Sequence, residues 1–457
     1  MQIEYRREKM NDLDYIEELQ AKGVELLEFM YVDYTGIPRA KAMFLDSIGT
    51  HLSSGMGITK AMMASTLQDS IVDYPELNAV GEFRLIPDIQ TIKCLPYQPQ
   101  VATAVCEFYD YDTRSPLDLD SRFLLKKVIS SLKNMGYDAL VSLENEFTIY
   151  KKDENGKLRK LDDFICFSTE SNEEIYDIIL EIAAQLRAAG IKPLEFYHEA
   201  GVGQQELPIE PTDPVKAADN EIMLKRIVKK AFKSHGYYAT FAPKPNLSEA
   251  GSGAHLHVSL WKDGRNAFLD ENNGRLSQVA KYFIGGVLKH INAILAFTCP
   301  SENSYQRLKP SNWSSDYAIW GIDNREAAVR IPSTFWNDEE STLNVELKSS
   351  DGTANPYLAI AAVISAGIDG IKGKMVPPEE IMFDPQKLSK SEREERGIFC
   401  LPRNLEEAIS ALKQDDYLKE CFSSEFVDLY SQIKESELLA LRDFSSKQIS
   451  DYFLKKY

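Results

Sequence analysis

The chain is short of paired cysteines, histidine, basic charge and long apolar runs. Its six cysteines, Cys94, Cys106, Cys166, Cys299, Cys400 and Cys421, are scattered, with no CxxC pair. That spacing gives neither a zinc motif nor a disulfide framework, and it fits a reducing, cytoplasmic setting. Lysine and arginine number 52 against 70 acidic residues, a formal net charge of −18. No long basic run offsets it. Such a charge repels phosphate backbones and anionic lipid surfaces, so no nucleic-acid and no membrane partner is expected. The opening MQIEYRREKMNDLD has basic residues but no apolar stretch behind them, which argues against a signal peptide. The longest apolar stretches, such as 357–367, fall short of the ~18 residues a spanning helix needs. Neither a Walker phosphate loop nor a Rossmann glycine fingerprint is present, so a nucleotide would need a different scaffold.

What is present is enough chain for two or three domains, 457 residues of ordinary globular composition. Residues 11–23 read as an amphipathic helix. Residues 25–45 read as two strands around the turn Asp33-Tyr34-Thr35-Gly36, and 81–97 as a further strand-rich piece. A polar loop over 110–118 precedes a strong helix at 121–135, so the domain boundary is expected near residue 110. This divides the chain into a small mixed domain, 1–110, and a large one, 111–457. In the large one, 141–150 and 254–261 read as strands. Residues 173–189, 217–235, 276–297 and 355–371 read as helices, 374–403 as a long surface loop, and the last stretch as helices. The pattern is α+β rather than a repeating βαβ array.

Five motifs carry candidate chemistry. In Ser142-Leu143-Glu144-Asn145-Glu146-Phe147, two glutamates at i and i+2 share one strand face. Two carboxylates about 4 Å apart repel by roughly 4 kcal/mol at an effective dielectric of 20, so a buried pair needs cations or a shared proton. His198-Glu199 and Gly203-Gln204-Gln205-Glu206 add two glutamates around a turn. Gly251-Ser252-Gly253-Ala254-His255-Leu256-His257-Val258-Ser259 leads glycines into a strand with His255, His257 and Ser259 on one face. Arginines follow in Asn303-Ser304-Tyr305-Gln306-Arg307, Asn324-Arg325 and Val329-Arg330-Ile331-Pro332. Asn344-Val345-Glu346-Leu347-Lys348 then precedes Ala354-Asn355-Pro356-Tyr357. Taken singly, each is equally at home on a solvated surface.

Taken in order, ExE, HE…GQxE, GSGxHxHxSL, NSYxRL, NRxxxxRIP and VEL…ANPYL resemble the glutamine synthetase family in its bacterial-type branch. The likeness runs from about residue 25 to about residue 370. The resemblance implies an N-terminal β-grasp domain and a catalytic domain on a curved antiparallel sheet with flanking helices. It implies ATP and two or more Mg²⁺ or Mn²⁺ ions per subunit. Glu146, Glu199 and Glu206 correspond to the ligands of one cation, and Glu144, His255 and Glu346 to those of the other. His257 and Ser259 correspond to nucleotide contacts. Glu195 corresponds to a further ATP contact, one residue short of the family spacing. Arg325 and Arg330 correspond to the arginines on the phosphates. Arg307 and Gly251 correspond to glutamate contacts. Asp33 corresponds to the aspartate that helps bind and deprotonate the amine, from a turn that enters the neighbouring subunit's site. The implied assembly is a homo-oligomer, a dodecamer of two hexameric rings with shared active sites.

The sequence departs from the ammonia-using enzymes at four places. Trp313 falls where they carry a glutamate that closes the site and helps deprotonate ammonium; an indole face instead suits a cation or an alkyl chain. Ala250 replaces an asparagine, Lys348 replaces an arginine on the acidic substrate, and Ser341 falls near a nucleotide-facing lysine. Phe383 stands where some bacterial members carry an adenylylated tyrosine, so no adenylylation is expected there. The expected activity is ligation of glutamate, or an analogue, to an amine larger than ammonia, as in γ-glutamylpolyamine and γ-glutamylalkylamide synthetases. The alternatives are authentic glutamine synthetase and a non-catalytic structural or regulatory member. Loss of metal ligands would mark the last class, and all six are present.

Overall fold

The first sheet is built around one parallel pairing. In the computed structural model, which describes residues 12–270, 274–309 and 316–457, strand Leu26–Val32 runs parallel to Gln98–Asp110, with Leu26 opposite Val101 and Met30 opposite Val105. Pro38–Phe44 folds back on the outer side as a hairpin, while Glu82–Pro87 and Met56–Thr59 extend the other side. Tyr15, Ile16 and Leu19 of the Asp12–Ala21 helix are buried in this core, at the spacing of one helical face. The Gln98–Asp110 strand lies beyond the strand-rich stretch read from the sequence. Ala102 through Phe108 are buried without a break, because the strand is central and covered on both faces, so its residues do not alternate.

The second sheet has ten strands. Its main path runs Tyr317–Ile322, Ala327–Ile331, Val345–Leu347, Ala254–Lys262, Asp138–Lys152, Gln204–Glu206, Tyr197–His198. Only the first pair on this path is parallel; the others are antiparallel. Helices pack behind it, and their starts follow local chemistry. Asp120 accepts from the Phe123 amide at 2.7 Å and caps Ser121–Asn134. Asp213-Pro214 and Asn355-Pro356 each combine a capping side chain with proline in the first turn, where its missing N–H costs nothing. The apolar helices Gln278–Thr298 and Pro356–Gly373 cross at Gly286 and Gly370. A Cβ on Gly286 would lie 2.1 Å from the Ala366 carbonyl.

Arg122 ties the two sheets' layers together. It is 4% exposed and reaches Asp88 at 2.9 Å, Glu107 at 2.6 Å and Asp219 at 3.0 Å. The stretch 374–403, read as loop, contains a 3-10 turn at Pro385–Lys387 and one short α-helix, Lys390–Glu395, started by a capping box between Ser389 and Glu392. All six cysteines are free. No helix among the described residues is long and apolar enough to cross a membrane.

Candidate active site

Strand register alone gathers the polar residues of the large sheet. Arg330 stands opposite Glu346, Glu346 opposite His257, and His257 opposite Ser142. Two residues along, His255 stands opposite Glu144. Beyond them Glu206 stands opposite Glu146 and Tyr197 opposite Glu206. Cross-strand partners share a face, and so do residues i and i+2. Every one of these side chains therefore points into the same concavity. That cavity is about 570 Å³. Glu199 enters it from just beyond Tyr197–His198, and Glu195 and Ser259 line it further out. Arg325 borders it from the turn before Ala327–Ile331. Gly251, Arg307 and Lys348 line it beside Gln204 and Ala250.

The glycines let the chain pass beneath Arg307. A Cβ on Gly251 would sit 2.5 Å from the Pro243 carbonyl and 2.6 Å from Arg307 Cγ; one on Gly253 would sit 2.7 Å from His255 Nε2. Arg307 is buried, and its Nη2 donates to the carbonyls of Lys348 at 3.2 Å and Ser350 at 2.9 Å.

The charges fall into two groups. In the first, His257 Nε2 is 3.1 Å from Glu144, His255 Nδ1 is 3.3 Å from Glu144 and 3.4 Å from Glu346, and Arg330 donates to Glu346 at 2.9 Å. Burial opposes charge on His257, but Glu144, followed by Glu346 and a bond to Asn344, outweighs it and holds the imidazole at about 9. Burial, together with Lys348, pushes His255 down to about 4, so it is neutral and one ring nitrogen offers a lone pair that a cation could take. Burial would raise Glu144 and Glu346, yet the histidines hold Glu144 low, and Lys348 followed by the histidines does so for Glu346. In the second group the carboxylates repel. Burial first, then Glu199, raises Glu146 to about 7. Burial first, then Glu144 and Glu146, raises Glu206 to about 10.

This donor set suits divalent cations. Glu144, His255 and Glu346 each present one ligand atom, all within 4.8 Å of one another. Glu346 is fully buried, and its Oε1 has no hydrogen-bond partner among the described residues, although an unsatisfied buried oxygen is costly. In the second group burial and repulsion from Glu199 outweigh the pull of Arg307 and Lys348 on Glu146, and a bound cation would supply further neutralisation.

Two expected site residues stand apart. Asp33 is absent from the cavity lining of its own chain. Its Oδ1 accepts from the Thr35 amide at 2.9 Å, the Thr35 hydroxyl at 2.6 Å and the Ile37 amide at 3.0 Å, and Oδ2 pairs with Arg39 at 2.6 Å. Trp313 lies outside the described residues. Sequence reasoning missed three other groups. Tyr197 donates to Glu206 at 2.5 Å, a contact visible only through strand register. Gln204 donates to Glu146 at 2.5 Å and to the Gly251 carbonyl at 3.0 Å, bridging two motifs. Asn344 bonds His257 at 2.9 Å. Gln204 and Asn344 sit inside the quoted motifs, which was the available signal.

The glutamine synthetase catalytic domain matches residues 118–456, and the glutamine synthetase N-terminal domain matches residues 10–115. A glutamine synthetase of Thermococcus kodakarensis is 37% identical over 356 residues, 76% of this chain and 79% of that protein. One of Pyrococcus furiosus is 33% identical over 447 residues, 95% of this chain and 96% of that protein. Among solved structures, a GmaS/ADP complex matches with TM-score 0.83 at 28% identity, covering 95% of this chain and 97% of that one. A glutamine synthase homolog matches with TM-score 0.84 at 27% identity, covering 95% and 99%. Fold and site together define an ATP-dependent ligase. The chain belongs to the glutamine synthetase family.

Proposed function

We propose that the chain joins the γ-carboxylate of glutamate, or a close analogue, to an amine larger than ammonia. ATP phosphorylates the γ-carboxylate, giving ADP and γ-glutamyl phosphate. The neutral amine attacks the carbonyl carbon, phosphate leaves, and the amine's extra proton passes to a carboxylate. The observation that carries this reading is the single sheet face bearing Glu144, His255 and Glu346 next to the opposed Glu146 and Glu206.

On this reading Glu144, His255 and Glu346 hold one Mg²⁺ or Mn²⁺, and Glu146, Glu199 and Glu206 hold another. Such cations, when bound, screen the charge on the phosphoryl oxygens. Arg325 and Arg330 grip the phosphates, while Glu195, His257 and Ser259 hold the nucleotide; ADP is bound in the GmaS structure similar to this chain. Arg307, Lys348 and the Gly251 backbone hold the acid. Asp33 serves the neighbouring subunit's amine site, which agrees with its absence from the cavity of its own chain. We accordingly infer a cytoplasmic dodecamer with domains at 1–110 and 111–457.

Trp313 in place of a carboxylate supports the larger amine. Removing an anion weakens ammonium most, since ammonium has no alkyl chain to offer in exchange. A specific observation favours a second reading, authentic glutamine synthetase: relatives bearing that name are 33–37% identical, above the 28% of GmaS. The deciding experiment compares kcat/KM for ammonium, methylamine, putrescine and spermine with ATP and glutamate. The highest value for ammonium would overturn the amine reading.

A further inference from the structure

Between Glu144 and Glu146, Asn145 points to the opposite face of its strand. It is fully buried, and its amide donates to Glu221 Oε2 at 2.5 Å. Glu221 belongs to the Pro214–Ser234 helix and is also fully buried. Its other oxygen lies 2.8 Å from Lys225 Nζ, one turn along. Lys225 donates to the Gly352 carbonyl at 2.9 Å and stands 5.7 Å from the Phe241 ring centroid. Gly352 leads into the wall of the Asp33 turn. A Cβ on Gly36 would lie 2.7 Å from the Thr353 carbonyl and 2.9 Å from that of Ala354. Asn355 Nδ2 donates to the Asp33 carbonyl at 2.9 Å. One polar path therefore runs from the carboxylate strand, through the helix, to the turn.

An ion pair in this position is not what a core requires. Ile222, Leu224, Ile227 and Val228 of the same helix are buried and apolar. Desolvating a carboxylate and an ammonium costs what their attraction recovers only in good geometry, and apolar pairs of similar volume pack as well or better. Direction comes from the hydrogen bonds at its two ends, Asn145 to Glu221 and Lys225 to the Gly352 carbonyl, since each fixes an angle as well as a distance, while the ion pair joins them.

We propose that Glu221 and Lys225 are positioning residues. They form a strut that sets the backbone of 144–146 relative to the Asp33 turn. The same pair then governs a subunit's own cation ligands and the turn it offers to its neighbour. This rests on the reading of the metal and Asp33 sites above.

The test uses Glu221→Gln in the full chain. Three quantities are measured: Mn²⁺ affinity without substrates, by electron paramagnetic resonance; amide hydrogen exchange over 33–37; and KM and kcat for methylamine or ammonium, whichever turns over faster. The expected results are an Mn²⁺ Kd raised about tenfold, faster exchange in the turn, and an amine KM raised more than kcat falls. Should Glu221→Gln fail to fold, Glu221→Gln/Lys225→Met, which leaves no orphan charge, is measured in the same way. Wild-type Mn²⁺ affinity, or wild-type exchange in the turn, overturns the strut. Glu146→Ala is run alongside. If it binds Mn²⁺ normally, the metal reading falls and the strut with it. If it loses Mn²⁺ while Glu221→Gln keeps it, the strut alone falls.

Discussion

Glu206 stands directly opposite Glu146 across an antiparallel strand pair, and neutral groups donate to both, Tyr197 to Glu206 and Gln204 to Glu146. Burial raises both carboxyls, helped by repulsion from Glu199 at Glu146 and from Glu144 and Glu146 at Glu206, and brings Glu146 to about 7. Groups whose folded values are raised stabilise the fold most below their ordinary range and lose that contribution as pH rises through the folded value. The cation-free protein should therefore lose thermal stability between pH 6 and pH 8. Mg²⁺ or Mn²⁺ should restore more at pH 8 than at pH 6, and its affinity should rise by about tenfold per pH unit for each proton released. Melting curves with and without chelator, and calorimetry in buffers of different ionisation enthalpy, read both effects.

Glu146→Ala and Glu206→Ala should each cut phosphate release from ATP by at least about 100-fold at ordinary Mg²⁺, with circular dichroism unchanged. Turnover close to wild type would remove these residues from the cation site.

Trp313→Glu should move amine choice toward ammonium. Two or three methylenes laid on an indole contribute about 1.6 to 2.4 kcal/mol at ~0.8 kcal/mol each, or roughly 15- to 60-fold. The ratio of kcat/KM for putrescine to that for ammonium should fall by about that factor. An unchanged ratio would remove Trp313 from the amine site.

Arg122→Leu should destabilise the chain by about 3–5 kcal/mol, because it leaves Asp88, Glu107 and Asp219 without their shared cation. Burial would raise Asp88, but Arg122 and then Lys126 hold it below its ordinary value. That part of the stability is present above about pH 4 and is lost as pH falls through the depressed value. The deficit in denaturant midpoint should accordingly be larger at pH 7 than in acid.

His290 bridges Asp415 at 2.6 Å and Asp369 at 2.9 Å, joining three helical segments. Although burial disfavours its charge, the two aspartates raise it. Its contribution is full below its ordinary value near 6.5 and fades as pH rises through the higher folded one. His290→Leu should cost about 1–3 kcal/mol at pH 6 and measurably less at pH 9. An equal cost at both would show that the imidazole acts only by packing.

Elements with a local signature were legible in the sequence. The 121–135 reading meets a helix at Ser121–Asn134, where an aspartate cap and a 3.6-residue stripe coincide, and 254–261 meets a strand at Ala254–Lys262. The Gln98–Asp110 strand was lost because a strand covered on both faces carries no period-two signal. Lys390–Glu395 was lost because its capping box precedes no apolar stripe. In the site, residue types and order were readable, but partners were not. Glu206 and Tyr197 are nine residues apart in sequence, while Asn145 and Glu221 are 76 apart. Only sheet register and helix docking bring such pairs together.

That register also decides where the gene can change length. Side chains alternate faces along a strand, so one codon added or removed between Ser142 and Glu146 would turn the residues beyond it toward the helices. The Asp153–Lys157 turn, exposed at its tip and closed by bonds to Asp153, meets no such constraint. Insertions and deletions among descendants of this sequence should collect in that turn and spare the strand leading into it.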